Sequence, residues 1–162
     1  LALEIFTTGG TIDKLYFDAK SSFQVGEPQI LEVLREANIT LEVRVTPLLR
    51  KDSLEMTDAD RQLIRRAVEA TDILQIVITH GTDTMIGTGK ALRGIPDKTI
   101  VLTGAMQPAR FRNSDAIFNI ASAITAAQTL PTGVYIAMNG RIFDPQNSRK
   151  NVELNRFEKL DQ

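Results

Sequence analysis

Ile73-Leu74-Gln75-Ile76-Val77-Ile78-Thr79, followed at once by His80-Gly81-Thr82-Asp83-Thr84, is the stretch whose reading decides the fold. A β-rich apolar run with a polar turn directly behind it reads as a strand buried on both faces. Such strands belong to parallel sheets covered by helices. Four other runs read the same way: Leu3 to Thr7, Leu41 to Val45, Ile100 to Thr103 and Val134 to Met138. Helical stretches lie between them. Glu27-Pro28 opens one, with Ile30, Leu31, Leu34 and Ala37 on one face. Thr57-Asp58-Ala59-Asp60 has the form of a capping box, with Asp in place of Glu, ahead of a stripe of Ala59, Leu63, Ile64, Ala67 and Val68. A third helix is expected after Ser114-Asp115, turning Ile117, Ile120, Ala121 and Ile124 inward. Repeated βα units with short connections imply an α/β fold, a mainly parallel sheet with helices on both faces in a Rossmann-like or flavodoxin-like three-layer sandwich. Ligands in such folds bind beyond the carboxyl ends of the strands.

Bulk properties narrow the function. The 162 residues suit one domain spanning 1–162, and the 43% hydrophobic and 24% charged content is ordinary for a globular chain. A net charge of −1 supplies no field for nucleic acid or an anionic membrane, so neither is an expected partner. The absence of cysteine and the single histidine argue against disulfides and the usual metal sites, so no metal or organic cofactor is expected. No apolar run approaches the roughly 20 residues that span a bilayer, and no signal segment opens the chain, which begins at Leu1. The expected location is cytoplasmic.

Five polar clusters stand out. Thr7-Thr8-Gly9-Gly10-Thr11-Ile12 follows the first strand, where two glycines let the backbone turn sharply and expose the next side chain. The plain alternative is a tight strand exit. Thr79-His80-Gly81-Thr82-Asp83-Thr84 offers a hydroxyl and a carboxylate at a strand end, with backbone N–H groups that could bind developing negative charge. Helix capping is the plain reading there, and His80 reads as structural. Thr103-Gly104-Ala105-Met106-Gln107-Pro108 leads to Asn113-Ser114-Asp115, which by itself is a turn and a cap. Arg50-Lys51-Asp52-Ser53 and Arg149-Lys150 would, taken alone, be solvated charge. Gly87-Thr88-Gly89-Lys90 is followed by Ala91 and lacks the leading glycine of a P-loop. The segment from Asp13 to Val25 shows no clear period and reads as a long loop, functional or mobile. The polar tail from Asn151 to Gln162 reads as frayed or as docking on a partner subunit.

Together, Thr8-Gly9-Gly10-Thr11-Ile12, Thr79-His80-Gly81-Thr82-Asp83-Thr84-Met85 and Gly104-Ala105-Met106 resemble the two signature regions and a third loop of bacterial-type asparaginases. The resemblance runs from about Leu3 to Lys150. It implies an L-asparaginase-like amidohydrolase acting on a small amino-acid amide, with an expected homo-oligomer (dimer or tetramer). Thr11 matches the family's nucleophile. Thr82 and Asp83 match the second threonine and its acidic neighbour, and Asp83 would also hold the substrate's α-amino group. Lys150 matches the lysine completing that second group. Ala105 matches a backbone contact to the substrate amide, and Asp52-Ser53 a pair around the substrate carboxylate. In some members a Ser-Gln pair falls on Arg50-Lys51 instead.

Two departures follow from the resemblance. The chain ends just past Lys150, which suggests a short form or fragment without the family's C-terminal domain, and hence a more open site with a high KM. Phe23 in Phe23-Gln24-Val25-Gly26 takes the place of the lid tyrosine, so Tyr16 is the expected source of that hydroxyl. With one histidine and no cysteine, a threonine nucleophile served by a tyrosine or lysine fits the side chains present. An acidic neighbour favours the charged form of Lys150 and burial the neutral one. Lys150 is therefore either a base or a fixed charge orienting Thr82. The rival readings are a non-catalytic amino-acid sensor and an amidase for glutamine or another small amide.

Overall fold

The computed structural model describes residues 2–160. The chain enters through β1 (Ala2–Gly9), then makes a hairpin of β2 (Lys14–Phe17) and β3 (Ser22–Val25) before α1 (Ile30–Glu36). β4 (Glu42–Lys51) and α2 (Asp58–Ala70) follow, then β5 (Gln75–Thr79), α3 (Met85–Ala91) and β6 (Thr99–Thr103). α4 (Ala116–Thr129) leads to β7 (Gly133–Met138) and β8 (Arg141–Phe143). A second hairpin, β9 (Ser148–Asn151) and β10 (Arg156–Lys159), closes the described chain. The main sheet runs β4-β1-β5-β6-β7-β8, parallel throughout except for β8.

Strand alternation divides the core into two layers. Leu3, Ile5, Val77, Val101 and Ala137 face α1 and α4. Phe6, Ile76, Ile78, Ile100, Leu102 and Ile136 face α2, α3 and the second hairpin. The three-layer α/β architecture expected from the sequence is present. β1, β5 and β6 lie in the middle of the sheet, so their carboxyl ends meet side by side.

Several details differ from expectation. The Asp13–Val25 segment is not a structureless loop; most of it is the β2–β3 hairpin, with Tyr16 paired to Phe23. The tail does not fray over its described part, since Arg156–Lys159 pairs with β9; Asp161 and Gln162 lie outside the described residues. β4 extends to Lys51 and contains Pro47, which an edge strand tolerates because its outer side needs no ladder donor. Asn139-Gly140, both at positive φ (53° and 69°), make the two-residue turn that folds β8 back on β7.

The helical faces also shift. α2 keeps Ile64 and Val68 inside and carries the expected capping box, but Ala59 is exposed. α1 starts at Ile30, so Ile30 and Val33 point inward while Leu31 and Ala37 face solvent. In α4 the buried set is Ala116, Asn119, Ile120, Ala123, Ile124, Ala126 and Ala127, and Ile117 and Ala121 are exposed. That helix is apolar nearly all round, so its sequence supplies little phase. Asn119 fixes the rotation by donating through Nδ2 to the Gly104 carbonyl and to Asp115.

Candidate active site

The exits of β1, β4, β5 and β6 converge, and glycine makes the convergence possible. A Cβ on Gly10 would lie 2.5 Å from the Gly81 backbone, and one on Gly81 would press into the Ser53 side chain. Gly10 also sits at φ 90°, where a side chain is strained. Thus the turn after β1, the turn after β5 and the Asp52-Ser53 turn after β4 touch at backbone distance. Thr8 Oγ1 donates to the Thr79 carbonyl at 2.8 Å, and Thr84 Oγ1 to the Ser53 carbonyl at 2.7 Å.

Thr11 begins a single 3₁₀ turn, Thr11–Asp13, immediately after the two glycines. It is half-buried, and its hydroxyl makes no hydrogen bond among the described residues. The turn around it is tied down on three sides. Ala109 N–H donates to the Ile12 carbonyl, Gly26 N–H to the Asp13 carbonyl, and Gln29 N–H to Asp13 Oδ1 at 2.9 Å. The hydroxyl is therefore fixed in place but unpartnered among the described residues, whereas a nucleophilic hydroxyl also needs a base within hydrogen-bond reach.

Across the β1–β5 boundary, Lys150 Nζ donates to Thr82 Oγ1 at 2.8 Å and to Asp83 Oδ1 at 2.6 Å. The lysine side chain is 13% exposed and the aspartate 39%. β9 delivers Lys150 here because Phe157, its cross-strand partner on β10, is buried in the core and turns that face of the hairpin inward. Lys150 Nζ thus bridges the Thr82 hydroxyl and the Asp83 carboxylate and holds Thr82 in position.

Ala105 is buried at the exit of β6, and neither its N–H nor its carbonyl is hydrogen-bonded within the described residues. The loop that presents it is pinned by Asp115, which accepts from Met106 N–H, Gln107 N–H and Asn119 Nδ2. Asp115 thus serves this loop; its side chain makes no capping bond to α4. The sequence showed the acid but not its target.

Ser53 is buried under Gly81. The Asp52 carboxylate is occupied by Lys14 Nζ at 2.9 Å, which holds its pKa below the usual carboxylate range. Sequence reasoning missed Lys14, a cation three residues past Thr11. Tyr16 and Phe23 face each other across the first hairpin with ring centroids 5.3 Å apart, and Phe23 meets Phe111 at 5.7 Å. The Tyr16 hydroxyl makes no hydrogen bond to Thr11 or Thr82.

Two buried ionisable groups flank the site. His80 is enclosed, and burial pushes its pKa down to about 4. A carbonyl can only accept, so Nδ1 carries the proton toward the Gly81 carbonyl and Nε2 accepts from Thr88 Oγ1 at 2.8 Å. A neutral ring with both nitrogens engaged is a brace, as the sequence reading held. Asp13 is the opposite case: burial lifts its carboxyl to about 7, against the lowering influence of the Gln29 N–H and the Arg50 charge.

Comparison with known proteins gives consistent matches. The family model described as "Asparaginase, N-terminal" matches residues 2–160. An L-asparaginase of Thermococcus kodakarensis is 36% identical over 150 residues, covering 88% of this chain and 45% of that protein. A glutaminase-asparaginase of Acinetobacter glutaminasificans is 28% identical over 166 residues, covering 93% and 50%. The solved thermostable L-asparaginase from Thermococcus kodakarensis superposes with a TM-score of 0.85 at 30% identity, over 98% of this chain and 51% of its own. The chain spans about half the length of these relatives.

Proposed function

Because the chain belongs to the asparaginase family, we propose that its strand-end site hydrolyses the side-chain amide of L-asparagine to aspartate and ammonia. The observation that carries this reading is the pair of hydrogen bonds from Lys150 Nζ to Thr82 and Asp83, set opposite the free hydroxyl of Thr11. Thr11 Oγ1 attacks the amide carbon as its proton passes to the oxygen of Tyr16 on the adjacent hairpin, the candidate relay, which gives its own proton to the amide nitrogen as that group leaves. The oxyanion is met by backbone N–H groups of the facing turn. The tetrahedral species then expels ammonia, which takes up a proton as the C–N bond breaks. A threonine ester remains. Water held against Thr82 clears it, returning the hydroxyl to Thr11 and aspartate to solvent.

Asp83, partly exposed beside Lys150, is the residue suited to the substrate's ammonium. Lys14 by charge and Ser53 by its hydroxyl are suited to its carboxylate, with Asp52 holding Lys14 in place, and Ala105 is suited to the amide. A second reading, glutamine as substrate, is favoured by the name of the Acinetobacter relative. The same reading includes a homo-oligomer.

Ammonia release from asparagine, glutamine and a panel of small amides tests the substrate class. Thr11→Val should lose several orders of magnitude in turnover at unchanged Tm. A variant that keeps near-normal turnover would remove Thr11 from the mechanism, and no release from any amide would refute the enzyme reading.

A further inference from the structure

β9 and β10 form a two-faced hairpin. One face sends Lys150 and Phe157 inward; alternation therefore sends Arg149, Asn151, Arg156 and Glu158 to the other. That outer face, with Asn139 from the β7–β8 turn and Arg141 from β8, lines a cavity of about 550 Å³. The two walls are joined because Phe157 N–H donates to Asn139 Oδ1 at 2.8 Å.

The charges in this cavity do not balance. Arg149 Nη2 reaches Glu158 Oε2 at 3.2 Å and Arg156 Nε reaches Glu158 Oε1 at 2.9 Å, so two guanidinium groups share one carboxylate. Asn151 Nδ2 adds a third donor to the same group at 3.2 Å. Arg141 has no ion pair among the described residues and lies over the Phe143 ring, 5.6 Å from its centroid. Three fixed positive charges against one negative leave a net excess of two in a concave site. Planar guanidinium forks are suited to bind oxyanions through paired N–H donors.

We propose that this cavity is a binding site for a small multivalent oxyanion, of the phosphate or dicarboxylate class, held by Arg141, Arg149 and Arg156. Glu158 then acts as an internal stand-in: it keeps two of the arginines aligned when the site is empty and competes with the incoming anion. The proposal is independent of the amidohydrolase reading, since none of these six side chains touches Thr11, Thr82 or Lys150.

The test is calorimetric titration of the full chain with pyrophosphate and, separately, with succinate, at constant ionic strength set by chloride. Saturable binding of one anion per chain is expected, and whichever probe binds identifies the class. Arg141→Gln with Arg156→Gln should weaken it at least about tenfold, because at least one charge-assisted contact is lost. Glu158→Gln should instead tighten it, because the competing carboxylate is gone. The three substituted side chains lie outside the core, and circular dichroism is used to check that each variant is folded. No saturable binding by either probe, equal affinity in the double arginine variant, or weaker binding in Glu158→Gln would each overturn the proposal.

Discussion

Asp13 and His80 are buried ionisable groups whose effects on stability oppose each other. With its folded pKa raised to about 7, Asp13 keeps its proton in the folded chain where the unfolded chain has released it. Its contribution therefore falls as pH rises from about 4 to about 7 and stays lost above that. His80 has its folded pKa lowered to about 4, so the unfolded chain takes up a proton that the folded one refuses. Its contribution is intact above about 6.5 and falls as pH drops toward 4. The two slopes oppose one another, and the wild-type Tm should be comparatively flat through this window. Asp13→Asn keeps an acceptor for the Gln29 N–H and removes one slope. Its Tm should gain on wild type steadily between pH 4 and 7; a difference independent of pH would show that Asp13 does not titrate there.

At the scale of elements, the β2–β3 hairpin and the touching turns make distinct demands. Tyr16 and Phe23 are cross-strand partners, so both candidates for the lid position stand at one place. Tyr16→Phe removes a hydroxyl that bonds nothing among the described residues and should leave Tm unchanged, so a loss of turnover would be chemical. A loss of about 10²–10⁴-fold is expected, as for an acid–base group, with Phe23→Leu acting through packing. The reverse ranking would assign the hairpin a packing role alone. Among the turns, Gly81→Ala drives a methyl group into Ser53 and should cost about 1–3 kcal/mol. Gly87→Ala serves as its contrast: it lies within α3 with its nearest atoms at 3.6 Å, and should stabilise by about 0.5–1 kcal/mol. Thermal denaturation of the two variants gives shifts of opposite sign if the close approach at Gly81 is real.

At the scale of the whole fold, the described residues leave an apolar surface uncovered. Phe118 is 61% exposed, and with Ala121 of α4 and Ile142 of β8 it lines a cavity of about 490 Å³. Ile117 on the same helix is also exposed. Apolar patches of this kind mark contact surfaces, and β8 adds an open sheet edge beside it. Sedimentation at several concentrations should show reversible association to a symmetric oligomer, shifted toward monomer by Phe118→Glu. A monomer at every concentration, or an oligomer unaffected by that change, would place the contact elsewhere or abolish it.

What the sequence determined by itself was local. Val77 and its neighbours declare a buried strand because an unbroken apolar, β-branched run is a covalent property of a short stretch. Thr57 and Asp60 declare a helix start for the same reason, and the paired glycines before Thr11 announce a sharp turn whatever surrounds them. Asn139-Gly140 carried an equally local hairpin signal that the reading passed over. What the tertiary structure alone decided depends on groups distant along the chain. Lys150 reaches Thr82 across 68 positions only because Phe157 anchors the hairpin that carries it. Lys14 claims Asp52, and Asn119 sets the rotation of a helix whose own pattern gave little phase. Asp13 and His80 owe their altered protonation to enclosure. Periodicity is written residue by residue, whereas burial and pairing exist only once the strands have taken their order in the sheet.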